Sequence, residues 1–317
     1  MLAVAVVTVI GLTWSVFHPK VLEVVPSFLK GIFVPTWPPP RPWDPKDATK
    51  LLTAITFAGL GGFWTLFYSY WLREKGSGMG RYIGHITGVL GKKEPISHSG
   101  FILSEDATSL KELPKWRRFL LIDSGIGIFG NIATTLLTCL LAYALLHPEG
   151  LLPEEYELAV VQSRFFEVSW GAVGKILFLC VAAAFLSDTW LTTVDAVSRI
   201  HTECVYSFFT HARRFTYRSW YYFFLVLLTV ITSITVLFDA PGPLILTSAV
   251  IGFLGTVIFS IAILFLNHFY LVKYLPRQAH LGRGAMFWMG VTCLAYLLLA
   301  AFYLLVRFGS KGVPGTP

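Results

Sequence analysis

The chain has 317 residues, of which 55% are hydrophobic and only 14% charged, with a mean hydropathy of +0.65 and a formal net charge of +7. An ordinary soluble domain carries roughly 25% charged residues, so this composition excludes a soluble fold. The positive charge raises nucleic acid as a partner, an option that the placement of the basic residues removes below.

The apolar residues fall in stretches near the ~20 needed to cross ~30 Å of hydrocarbon as helix. This predicts an all-α polytopic membrane protein with a single transmembrane domain over residues 1–317. Seven spans are expected, at approximately 1–17, 50–71, 119–146, 172–197, 220–238, 244–271 and 284–307. Runs such as Leu136 to Leu146 lack the ~10-residue alternation of a transmembrane β-barrel.

The first span has neither a basic leading region nor a small-residue cleavage site, so it reads as a membrane helix rather than a signal peptide. It begins bare at Met1, which suggests a truncated start. The second span contains Thr56-Phe57-Ala58-Gly59-Leu60-Gly61-Gly62-Phe63-Trp64-Thr65. Glycines inside a helix cost ~1 kcal/mol each relative to alanine, and the cluster predicts a broken span. Freed carbonyls of such a break coordinate cations in transporters, while small residues elsewhere simply allow close helix packing. Both readings fit the spacing.

A basic loop, 73–118, precedes the third span. Within that span Asp123 is expected at the membrane interface and Asn131 deeper, lining a cavity or bonding to a neighbouring helix. In the fourth span Asp188, Thr192 and Asp195 fall at i, i+4 and i+7 on one face. Carboxylates inside spans are functional candidates, which singles out Asp188. Asp195, four residues before Arg199, reads instead as a solvated ion pair. In the sixth span Asn267 and His268 read as boundary residues.

His201-Thr202-Glu203-Cys204 has the first half of a zinc-deaminase motif, but no P-C-x-x-C follows. Cys139, Cys180, Cys204 and Cys293 show no metal or disulfide spacing. There is no phosphate-binding G-x-x-x-x-G-K-[ST], no G-x-S-x-G and no H-E-x-x-H. The chain is therefore expected to be neither an enzyme nor a cofactor binder.

The Lys and Arg residues set the orientation. The segment 18–50 carries five and 73–118 carries nine. Arg164 and Lys175 follow, then Arg199, Arg213, Arg214 and Arg218, then Lys273, Arg277 and Arg283, then Arg307 and Lys311. One side thus holds 16 of the 25. The positive-inside rule makes that side cytoplasmic, with Met1 inside and Pro317 outside a cell membrane. The basic charge is topological, with a secondary use in touching anionic lipid.

The order of these segments resembles the C-terminal portion, helices five to eleven, of the Nramp-type divalent metal transporters, within the LeuT-like superfamily. Leu29-Lys30-Gly31-Ile32-Phe33-Val34-Pro35-Thr36-Trp37-Pro38 resembles the loop between that family's fifth and sixth helices. Span two resembles the sixth, and Phe129-Gly130-Asn131-Ile132-Ala133 the seventh. Phe185-Leu186-Ser187-Asp188-Thr189 to Asp195 resembles the eighth of divergent Nramp-related members.

The resemblance implies a partial LeuT-like inverted-repeat fold and alternating-access transport of a divalent cation (Mn²⁺, Fe²⁺ or Mg²⁺), coupled to protons or another cation. Its site would comprise Gly59, Gly61, Gly62 and Phe63 at the break. Thr65 and Ser69 would stand one and two turns on, with Asn131, Asp188, Thr189 and Thr192 on the ion pathway. Gly59 and Gly61 would offer carbonyls to the metal. The family's Met-Pro-His signature is replaced by Gly61, Gly62, Phe63 and Trp64. Loss of the thioether leaves room for a harder ion. The family's first helices are missing, so they are expected from the same gene or a partner chain. An amino-acid or organic-solute symporter, and a non-transporting partner or inactive fragment, are the alternatives.

Overall fold

The computed structural model describes residues 2–34, 45–57, 63–86, 95–97, 100–103, 105, 107–151, 157–238 and 241–309. Among them every regular element is helical: α1 Leu2–Val16, α2 Pro19–Leu22, α3 Val25–Phe33, α4 Pro45–Phe57, α5 Phe63–Glu74, α6 Ala107–Leu141, α7 Leu158–Gln162, α8 Arg164–Phe208, α9 Tyr217–Phe238, α10 Pro241–Phe265 and α11 Arg283–Gly309.

Five helical stretches are each long and apolar enough to cross a bilayer: Ser109–Glu149, Arg164–Phe208, Tyr217–Phe238, Gly242–Lys273 and Arg283–Val306. Their outer faces carry large apolar side chains in the open, among them Leu121, Val173 and Leu237. Exposed apolar surface on that scale marks a face meant for something other than water. Among the described residues five of the expected seven spans thus have a counterpart. α1 with the α2–α3 segment makes a sixth if that pair, bent by 76°, is one span. The bend has a local cause. Pro19 opens α2, and a proline ring cannot follow a continuing helix, so His18 before it is extended (φ −66°, ψ 135°).

The expected second span is occupied by α4 and α5, of 13 and 12 residues. Gly59, Gly61 and Gly62 lie between them, outside the described residues.

The chain forms two compact units. In the first, Leu12 and Val21 pack with Leu140, Leu141, Ala144 and Leu146 of the third span and with Phe165 and Phe166 of α8. α8 breaks at Gly171 (φ 56°, ψ −142°), a conformation that a Cβ disfavours. The break lets both Phe165 and Phe166 meet the Phe178 ring edge-on, at 6.1 and 5.2 Å.

In the second unit the two short helices find different partners. Leu52 of α4 is buried with Phe253 of α10 and with Ala300 and Tyr303 of α11. Phe67 of α5 is buried with Ala196 and Ile200 of α8.

Candidate functional site

α5 has one apolar face and a charged end. Trp64 and Trp71 flank Phe67 edge-on, at 4.6 and 6.2 Å, and this stripe lies on α8. One turn beyond it come Arg73 and Glu74, opposite the face of α8 that carries Asp195, Arg199 and Glu203 at intervals of four residues. The pairing is dense. Arg199 donates to both oxygens of Asp195 at 3.0 Å and reaches Glu74 Oε1 at 2.9 Å. Arg73 donates to Glu203 Oε2 at 3.1 Å and to the Tyr217 hydroxyl at 3.2 Å. Tyr217 donates onward to Glu203 at 2.9 Å, and Tyr221 donates to Asp195. Glu74 also accepts the Ile86 N–H at 3.2 Å.

Two guanidiniums and three carboxylates thus form two groups, joined where Arg73 lies 3.8 Å from Glu74, and each group takes a hydrogen bond from a tyrosine of α9. Arg199 is 9% exposed, which corrects the expected solvated Asp195–Arg199 pair. Desolvating both charges is repaid only because α5 and α9 supply further hydrogen bonds. At Arg73 burial pulls against the charged form, but Tyr217 and Glu203 outweigh it and hold its pKa above the ordinary value. The guanidinium stays charged.

The residues singled out from sequence are spread over both units. Phe63 opens α5 and Ser69 donates to its own helix at Leu66 O, 2.7 Å. Thr65 lines a cavity of about 360 Å³ with Thr256 and Ser260 of α10 and Thr292 of α11, against Phe259, Trp288, Met289 and Tyr296. The Thr256, Ser260 and Thr292 hydroxyls each donate to a carbonyl of their own helix at 2.9 Å. Their oxygens keep acceptor capacity, since a hydroxyl has one proton and two lone pairs.

In the other unit, Asn131 is exposed on α6, and Thr189 and Thr192 donate to Phe185 O and Asp188 O at 2.9 and 2.8 Å. Asp188 is half-buried in mid-helix, and its carboxylate makes no hydrogen bond or ion pair among the described residues. Asp123, expected at the interface, accepts from Tyr68 of α5 at 2.8 Å. His201 Nδ1 sits 2.8 Å from Val197 O and belongs to no group of metal-binding side chains among the described residues.

The ionic cluster was missed from sequence, although the four-residue spacing of Asp195, Arg199 and Glu203 was in view. Their partners, Arg73 and Glu74, stand more than a hundred residues earlier. The chain matches no family model, no curated protein and no solved structure.

Proposed function

We propose that the protein is a multi-pass secondary transporter of divalent metal cations, coupled to protons or another cation. In this reading α1–α3 and the α4–α5 pair each complete one crossing. The seven spans then run from a cytoplasmic Met1 to an external Pro317 in a LeuT-like arrangement.

The observation that carries the reading is the cavity at Thr65, three residues after Gly62, where four serine and threonine hydroxyls stand among apolar side chains between α5, α10 and α11. Neutral oxygen donors of this kind suit hard cations such as Mg²⁺ and Mn²⁺ better than soft ones. Transporters bind their cargo at membrane depth beside helices that break there, and the cavity adjoins the glycine-rich stretch expected from the sequence to break. Asp188, uncommitted in mid-span, is the candidate for the coupling path, since an intramembrane carboxylate without a partner is costly unless it serves conduction.

Uptake of radiolabelled Mn²⁺ or Mg²⁺ into proteoliposomes tests the proposal. Thr65→Val is expected to weaken cation uptake about tenfold, a loss of 1.4 kcal/mol in affinity, and Asp188→Asn to remove its dependence on a proton gradient. Uptake unchanged by both substitutions would sink the site assignment. Phe259, Trp288, Met289 and Tyr296 also give the cavity the apolar walls usual for organic ligands. Inhibition of uptake by amino acids rather than by metals would transfer the site to an organic-solute symporter.

A further inference from the structure

A second cavity of unit two, about 210 Å³, lies at the charged end of α5. Its polar wall includes Arg73, Ser97, Glu203, Ser207 and Arg213. The turn at Gly84 (φ 81°) brings Ser97 there. A Cβ on Gly84 would stand 2.4 Å from Pro95 O, and the Ser97 N–H donates to Ile83 O at 2.7 Å. Arg213 comes from the short 3-10 turn Thr210–Arg214 between α8 and α9. Its Nε donates to Tyr206 O at 3.2 Å, and its guanidinium lies 6.0 Å from the centre of the Tyr206 ring.

Donors and acceptors do not balance in this wall. Both oxygens of Glu203 are already taken, Oε2 by Arg73 and Tyr217, Oε1 by Ser207 at 3.3 Å. Both Nη groups of Arg213 make no hydrogen bond among the described residues, and the Nε–H of Arg73 is buried with no acceptor. A buried donor left over in this way points to a missing acceptor. The wall itself holds two guanidiniums and one carboxylate, and Glu74, outside the wall, lies 3.8 Å from Arg73, so the unmet donors rather than a net charge mark the place of the missing acceptor.

We propose that the cavity between Arg73 and Arg213 binds a phosphoryl oxyanion. A guanidinium presents paired N–H groups in a fork that matches phosphate oxygens, which an ammonium cannot do. Arg213 and Arg214 lead into the candidate span Tyr217–Phe238, whose second residue is Arg218, so the site stands where the chain would enter the bilayer. A headgroup phosphate can reach it from the membrane surface and inorganic phosphate from solution. Arg73 also ties α5 to α8 and α9, so an occupant strengthens that attachment. The inference is independent of what the protein transports.

The test is thermal unfolding of the full chain in detergent. Inorganic phosphate is titrated against sodium chloride of equal ionic strength, and phosphatidylglycerol against phosphatidylcholine in mixed micelles. A ligand that binds only the folded state raises Tm. Phosphate or phosphatidylglycerol is expected to raise it. Arg213→Ala should weaken that response about tenfold or more, the usual worth of a hydrogen bond to a charged group. Arg213→Ala loses the bond to Tyr206 O, so its own Tm in chloride is the baseline from which its response is read. Arg213→Lys, which keeps the charge and loses the fork, should fall between.

A response to phosphatidylglycerol alone assigns the site to a lipid headgroup, and a response to phosphate assigns it to the free ion. Both uphold the proposal. No response to either, or an equal response in Arg213→Ala, overturns it.

Discussion

α4 and α5 are nearly equal in length and belong to the same unit, yet they are fastened in opposite ways. α4 lies on α10 and α11 through Leu52, Phe253, Ala300 and Tyr303, and the Thr56 hydroxyl stands 3.3 Å from Ala249 O. α5 is fixed to α8 and α9 by apolar contacts at Phe67 and, at its end, by five charges and two tyrosines. Apolar packing is non-directional and tolerates small shifts, whereas a forked guanidinium–carboxylate pair specifies distance and angle. The two helices flanking the glycine cluster therefore differ in how firmly their register is set.

Substitutions can break that contrast, and the largest effect is expected at the ionic end. Arg199→Ala removes a buried cation from two half-buried carboxylates, Asp195 and Glu74, and should destabilise by about 3 kcal/mol or more, read as a fall in Tm of the detergent-solubilised protein. Arg199→Lys should recover only part of it, because an ammonium cannot span both carboxylates in the same way.

Phe253→Ala, which empties the centre of the α4 contact, should cost about 3 kcal/mol by cavity formation. A loss as large as that of Arg199→Ala would show that the apolar anchor is the equal of the ionic one. Tyr221→Phe removes one donor to Asp195 and should cost about 1 kcal/mol. Thr56→Val should cost least, about 0.6 kcal/mol, the average for a hydrogen bond between membrane helices. If Thr56→Val proved costlier than Tyr221→Phe, the polar character assigned to the α5 end alone would be wrong.

Much of the architecture could be read from the residues in order. The span expected at 220–238 is Tyr217–Phe238, and the one at 284–307 is Arg283–Val306, because hydropathy along one helix is a local property. α6 begins earlier than hydropathy implied, at Ala107, since its first turns are polar and include Pro114. Pro19 was equally visible, and its 76° bend follows from the geometry of one residue. The site was less legible. Thr65 was named from the family resemblance and Asp188 from spacing, and the first lines a cavity that needs α10 and α11 to exist. Asp195 was misjudged because the i, i+4 pattern with Arg199 is the same for a solvated pair and a buried one.

By itself the sequence determined that this chain is helical, with several helices long and apolar enough to cross a bilayer, since composition and run length act within one segment. It also placed its basic residues on alternate loops. Only the tertiary structure decided which charges are buried and which helices they join. A charge's cost depends on what surrounds it, and the groups around Arg199 come from α5, α8 and α9, segments brought together by folding alone.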